Sequence, residues 1–121
     1  MEKVNNTKSP EHISELETLL PRVLNKLTLC VYPMATIMPE VSRLTGLDNY
    51  NLSDQSRFDK RTGYLLKAFL SCLPFPVCLV AHNGDLYDFP LLQAELVKAG
   101  VELRSNIFCV DSYIGLKEIF F

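Results

Sequence analysis

Six residues with chemical potential, His82, Asn83, Gly84, Asp85, Tyr87 and Asp88, fall within seven positions directly after the apolar run Val77–Ala81. A carboxylate such as Asp88 at the head of a helix can hold a hard cation such as magnesium, Tyr87 can stack on or hydrogen-bond a substrate, and Gly84 permits close backbone approach. The same residue types also make an ordinary strand-to-helix turn. In that reading Asp85 or Asp88 is an N-cap, Asn83 and Gly84 form the bend, and His82 is a half-buried side chain with its hydrogen bonds met. Spacing alone leaves both readings open. Asp111, which ends a second short apolar run, reads first as a helix cap, and Thr45-Gly46 as turn chemistry.

Other chemistries are poorly supported. The four cysteines, Cys30, Cys72, Cys78 and Cys109, lie in apolar runs without C-x-x-C spacing, which predicts buried reduced thiols. The only two histidines, His12 and His82, lie far from zinc-ligand spacing to any cysteine. Twelve Lys and Arg against 14 Asp and Glu give a formal charge of -2, which excludes a clamp that holds phosphates by bulk charge. The longest uncharged stretch, residues 68–81, is shorter than the roughly 20 residues of a membrane span, and two prolines interrupt it. The polar first ten residues lack the apolar centre of a secretory signal, so a cytoplasmic or nuclear protein is the expectation.

The elements that must position the 82–88 cluster can be read from periodicity. The 121 residues are 48% hydrophobic and 21% charged, the composition of one globular domain. Residues 1–20 read as a polar lead-in with a possible short helix, begun by Ser9-Pro10-Glu11 and carrying Ile13, Leu16, Leu19 and Leu20. Residues 25–32 alternate Leu27, Leu29 and Val31 with Lys26, Thr28 and Cys30, the period of a strand with one buried face. Residues 33–58 form a long irregular loop with room for one helical turn at 40–43. Apolar residues recur at helical spacing over 59–73 and again over 88–99, where Gly100 supplies a stop. Val77–Ala81 reads as a central strand buried on both faces, residues 107–110 as another strand, and Asp111-Ser112 as the cap of a last helix reaching Phe120. This order predicts an α/β layer structure with parallel strands, whose ligands gather beyond the carboxyl ends of the strands.

The segment from Cys78 to Leu96, including Ala81-His82-Asn83-Gly84-Asp85-Leu86-Tyr87-Asp88-Phe89-Pro90, resembles the second exonuclease motif of the three-prime repair exonucleases, a branch of the DEDDh 3′-to-5′ exonucleases. Flanking similarities lie at Pro21-Arg22-Val23, at residues 26–31, at Leu44-Thr45-Gly46-Leu47 and at Phe108-Cys109-Val110-Asp111-Ser112. The resemblance implies a partial, three-layer RNase H-like fold over residues 21–121, lacking the first two strands and the C-terminal helices. It implies that Asp88 is one of the acidic residues that bind two magnesium or manganese ions, and that Tyr87, with His82 and Asn83, faces the substrate. Leu44 would pack on the terminal base of single-stranded DNA or a frayed 3′ end, and residues 25–32 would join two copies into a homodimer.

The departures matter as much. Nothing in residues 1–24 resembles the Asp-x-Glu strand with which that family opens, and its closing histidine and aspartate would lie beyond Phe121. No complete catalytic set is present, so the expectation is a fragment of a metal-dependent 3′-to-5′ DNA exonuclease, inactive by itself. Leu86 stands where many relatives carry an arginine, and an aliphatic side chain cannot bridge a DNA phosphate. Two rival readings are a catalytically dead product that keeps a dimerisation or nucleic-acid-binding surface, and an α/β interaction domain unrelated to nucleic acids.

Overall fold

A computed structural model describes residues 22–120. Parallel strands β1 (Val77–Ala81) and β2 (Ile107–Asp111) pair in register from Val77 with Ile107 to Ala81 with Asp111, so both chains leave the sheet at the same edge. Parallel neighbours cannot be joined by a tight hairpin, and here the crossover runs through a helix, residues Asp88–Ala99. Three more helices are described: α1 (Pro39–Thr45), α2 (Lys60–Ser71) and, after the crossover helix α3, α4 (Ser112–Phe120).

The helix ends follow from local chemistry. Asp59 caps α2, its Oδ1 accepting the N–H groups of Arg61 at 2.9 Å and Thr62 at 3.2 Å while Oδ2 takes the Arg61 guanidinium. Gly100 ends α3 in the left-handed region at φ 68°, where its N–H donates to the Val97 carbonyl and the Val101 N–H to that of Leu96. Gly46 ends α1 in the same conformation, and Thr45 Oγ1 bonds back to the Val41 carbonyl, so Thr45-Gly46 is turn chemistry, as its residue types indicate. Within the 33–58 loop, Asn49 ties itself to Ala35 and Ile37, and Asp48 and Asn51 bond each other. The loop is therefore braced by its own side chains and holds a two-turn helix, longer than the expected single turn.

Packing is thin. Helix α2 lies on α3, and α4 lies against both strands. Among the described residues the buried apolar side chains are Leu52, Leu70, Val77, Leu96 and Val101. Alternation along the paired strands puts Val77, Leu79, Ala81, Ile107, Cys109 and Asp111 on one face and Cys78, Val80, Phe108 and Val110 on the other. All four residues of the second face are exposed.

Three expectations are corrected. Residues 25–32 form no strand: a strand needs a neighbour for its main-chain groups, and the segment's long-range backbone bond among the described residues is Tyr32 N–H to the Ser56 carbonyl. Val77–Ala81 is not buried on both faces, because among the described residues nothing covers the face that carries Cys78 and Val80. The four cysteines are free, as expected, but exposed rather than buried: Cys72 ends a helix and Cys78 points to the open face of the sheet. The helix expected within residues 1–20 lies outside the described residues. Among the described residues, no helix is long and apolar enough to cross a membrane.

Candidate functional site at the carboxyl edge of the sheet

Asp111 organises the rim. It is the last residue of β2, 6% exposed, and sits beside Ala81, the last residue of β1. Its Oδ1 accepts the N–H of Asn83 at 2.9 Å and that of Tyr113 at 2.9 Å, and its Oδ2 accepts the N–H of Asp85 at 3.1 Å. One carboxylate thus caps α4 and also crosses to the turn after β1. Burial by itself raises the Asp111 pKa, but the N–H groups of Asp85, Tyr113, Ile114 and Asn83 outweigh it and hold the group below its ordinary value. The charged form is the one the site is built around.

The turn it grips runs from His82 to Tyr87. Asn83 takes the left-handed conformation at φ 58°, which asparagine tolerates better than most side chains, and its carbonyl accepts the Leu86 N–H. Gly84 is buried, and a Cβ there would lie 2.7 Å from the ring of Phe89 and 2.8 Å from Ala81 Cβ. Its absence of a side chain serves this packing. His82 is exposed, its Nδ1 is 3.3 Å from Ser112 Oγ, and its ring meets that of Tyr113 edge-on with centroids 5.4 Å apart.

Asp88 is the first residue of α3. Its side chain is exposed and does not cap the helix: the residue at the cap position is Tyr87, which makes no side-chain cap bond. The N-cap reading of Asp85 or Asp88 is therefore corrected, because the α3 N-terminus is closed instead by main-chain bonds, Phe89 N–H to Gly84 and Leu91 N–H to Tyr87. The exposed Asp88 carboxylate lies in the first turn, at the positive end of the helix dipole, and is bonded to no N–H group among the described residues. Tyr87, 66% exposed, stands next to it.

His82, Asn83 and Tyr87 thus share one turn, and Asp88 follows it at the head of α3. Leu44, 88% exposed, stands apart on α1, which makes no extended packing contact with the sheet or with α3 among the described residues. The Asp111 bridge is the feature that sequence reasoning missed. An aspartate closing a strand before a helix signals a cap, but nothing local reveals that a neighbouring turn will lie alongside.

Two divalent ions need several carboxylates converging within a few ångströms. No group of three or more His, Cys, Asp or Glu side chains able to hold a metal exists among the described residues, and the Asp111 oxygens are already turned to N–H donors. These residues do not by themselves fit a two-ion centre, to which Asp88 can offer one ligand.

No family model matches the chain. Curated relatives do. Over 114 residues it is 45% identical to Three-prime repair exonuclease 1 of Bos taurus, a match that covers 92% of this chain and 36% of that protein. Over 101 residues it is 50% identical to Three-prime repair exonuclease 1 of Homo sapiens, covering 81% and 32%. Over 115 residues it is 42% identical to Three prime repair exonuclease 2 of Homo sapiens, covering 93% and 49%. The chain spans about a third to a half of the length of these relatives. By that relationship it is a homologue of the three-prime repair exonucleases and is placed in their family.

Proposed function

We propose that this chain forms part of the nucleic-acid-facing wall of a 3′-to-5′ DNA exonuclease, in an RNase H-like sheet of which β1 and β2 are two strands. The observation that carries the reading is Asp88 itself, exposed, uncapped and next to an exposed tyrosine where the strands end. A carboxylate there favours the helix N-terminus electrostatically but caps no N–H group among the described residues, which leaves its oxygens available to a ligand. In this reading the end of a single or frayed DNA strand lies along the rim, Tyr87 meets the backbone near the terminal phosphate, and Leu44 packs on the last base. Such contacts are indifferent to base identity, as removal of successive nucleotides requires.

Magnesium or manganese belongs to this reading as a pair of ions for which Asp88 would be one ligand. Because the other ligands are not among the described residues, no hydrolytic step is assigned to the chain, and it is proposed to bind a 3′ end without shortening it. The test is fluorescence anisotropy with a 5′-labelled single-stranded oligonucleotide, followed by electrophoresis of the same sample with magnesium. Saturable binding is expected, weakened about fivefold or more by Tyr87→Ala and by Leu44→Ala, the scale of about 1 kcal/mol for one lost contact, with an intact oligonucleotide throughout. Binding indifferent to both substitutions overturns the assignment of the wall, and a shortened oligonucleotide overturns the inactivity.

A second reading, a dimerisation module without catalysis, is favoured by residues 25–32. They keep a strand's alternation yet leave their main chain almost without partners among the described residues, which suits strand addition to a second copy. Sedimentation velocity would show a dimer that Leu29→Pro dissociates, and a monomer at all concentrations would remove this reading.

A further inference from the structure

We infer that Asp111 is a positioning residue, holding the turn that presents Tyr87 and Asp88 by clamping the main chain of Asn83 and Asp85 from the adjoining strand. The inference rests on the reading of Tyr87 and Asp88 as substrate-facing, and its geometry is independent of any ion.

An ordinary cap would need one oxygen. Oδ1 on the Tyr113 N–H, two residues after the cap position, already does what an aspartate does at the start of a helix. The remaining lone pairs would then face water. Here the same Oδ1 also takes the Asn83 N–H, and Oδ2 takes that of Asp85, groups 28 and 26 residues away in sequence. The side chain is buried to do so. Burying a carboxylate is unfavourable unless its charge is met by donors, and the donors that meet it come from both strand-to-helix turns.

The clamp acts where the chain has most need of it. Asn83 lies at φ 58°, a conformation side-chain-bearing residues adopt at some energetic cost, and the bond to its N–H holds it there. Two residues on, the Asp85 N–H is gripped. Between and beyond these points Gly84 C=O accepts the Phe89 N–H at 2.9 Å, so the 83–89 segment is pinned at its start by Asp111 and at its end by the first turn of α3. Among the described residues, Tyr87 makes no side-chain cap bond and Asp88 stands exposed. Their placement follows the main chain, which Asp111 holds at the start of the turn and α3 at its end.

Asp111→Asn separates this role from capping. Asparagine keeps one oxygen, which can serve Asn83 and Tyr113, and puts an NH2 group opposite the Asp85 N–H, where two donors face each other. The experiment compares amide hydrogen exchange, residue by residue in the full 15N-labelled chain, for the original protein, Asp111→Asn and Asp111→Ala, together with anisotropy of the labelled oligonucleotide. Asp85 exchange is expected to speed up by about tenfold or more in Asp111→Asn while the Leu79, Val80 and Tyr113 amides keep their protection, and oligonucleotide affinity is expected to fall. In Asp111→Ala the protection of Asn83, Asp85 and Tyr113 is lost together. Unchanged exchange at Asp85 in Asp111→Asn overturns the inference, because a cap for α4 alone would behave in that way. If the original protein does not bind the oligonucleotide, the substrate reading fails, and the Asp85 amide still decides whether Asp111 holds the turn.

Discussion

The ring of Phe89 occupies the space that a side chain on Gly84 would need, and the Phe89 N–H donates to the Gly84 carbonyl at 2.9 Å. Glycine at position 84 is therefore a packing requirement of the rim, set by the first turn of α3 and by Ala81 at the end of β1. Gly84→Ala places a methyl 2.7 Å from Phe89 Cε2 and 2.8 Å from Ala81 Cβ. A loss of about 1–3 kcal/mol in urea unfolding is expected, as for an overpacked core. Adding Phe89→Leu should recover part of it and not all, since Ala81 is fixed on the strand. Full stability in the single variant would show that the turn is looser than described.

What the sequence reveals here depends on whether the cause is local. The limits of β1, α2 and α3 are legible because Asp59 caps, Gly100 stops and proline flanks them, all within a few residues. Asp88 at the head of α3 is legible for the same reason. Residues 25–32 are not, because alternation states which side chains share a face and says nothing about whether a neighbouring strand exists to take the main chain. The exposure of Val80 is not legible either, since an apolar run does not state whether another layer covers its face. The Asp111 clamp depends on the parallel register that sets Asp111 beside Ala81, a tertiary fact with no local signature.

A second glycine records the contact between α2 and the chain leaving α3. A Cβ on Gly63 would lie 2.9 Å from Val101 Cγ2 and 3.1 Å from Val101 Cβ. In an open helix, alanine is better than glycine by about 1 kcal/mol. Gly63→Ala should nevertheless destabilise the protein, and should cost less or become favourable in a Val101→Ala background, where the shortest of these contacts is gone. A double-mutant cycle measured by urea unfolding is expected to give a coupling of about 0.5–3 kcal/mol. Equal effects in both backgrounds would mean that the two residues do not meet.

Acid should loosen the rim in a defined direction. The Asp111 carboxyl has its pKa below the ordinary 3.8, because four backbone N–H groups outweigh the effect of burial. A carboxyl whose folded value is depressed contributes stability that is fully present above its unfolded value and is lost as pH falls through the folded one. Asp59, lowered by the Arg61 side chain and then by the Thr62 N–H, adds a second contribution of the same sign at the α2 cap. Urea midpoints should therefore decline as pH is taken below 3.8, less steeply in Asp111→Asn and again less in Asp59→Asn. A slope identical in all three proteins would assign the acid sensitivity to other groups.

Leu70 and Val80 should differ widely in their response to the same substitution, although both are large apolar residues in regular structure. Leu70 is 4% exposed near the end of α2, and Val80 is 64% exposed on the open face of the sheet. Truncating the first leaves a cavity in a core of few side chains, so Leu70→Ala should cost about 2–5 kcal/mol. Truncating the second removes surface that water already reaches, so Val80→Ala should change stability by no more than about 0.5 kcal/mol. The comparison also reports on the open face. If Val80→Ala costs as much as a buried truncation, then Cys78, Val80, Phe108 and Val110 are covered in solution, and dilution should reveal the cover: a concentration-dependent penalty would identify a second copy, and a concentration-independent one a segment of the same chain.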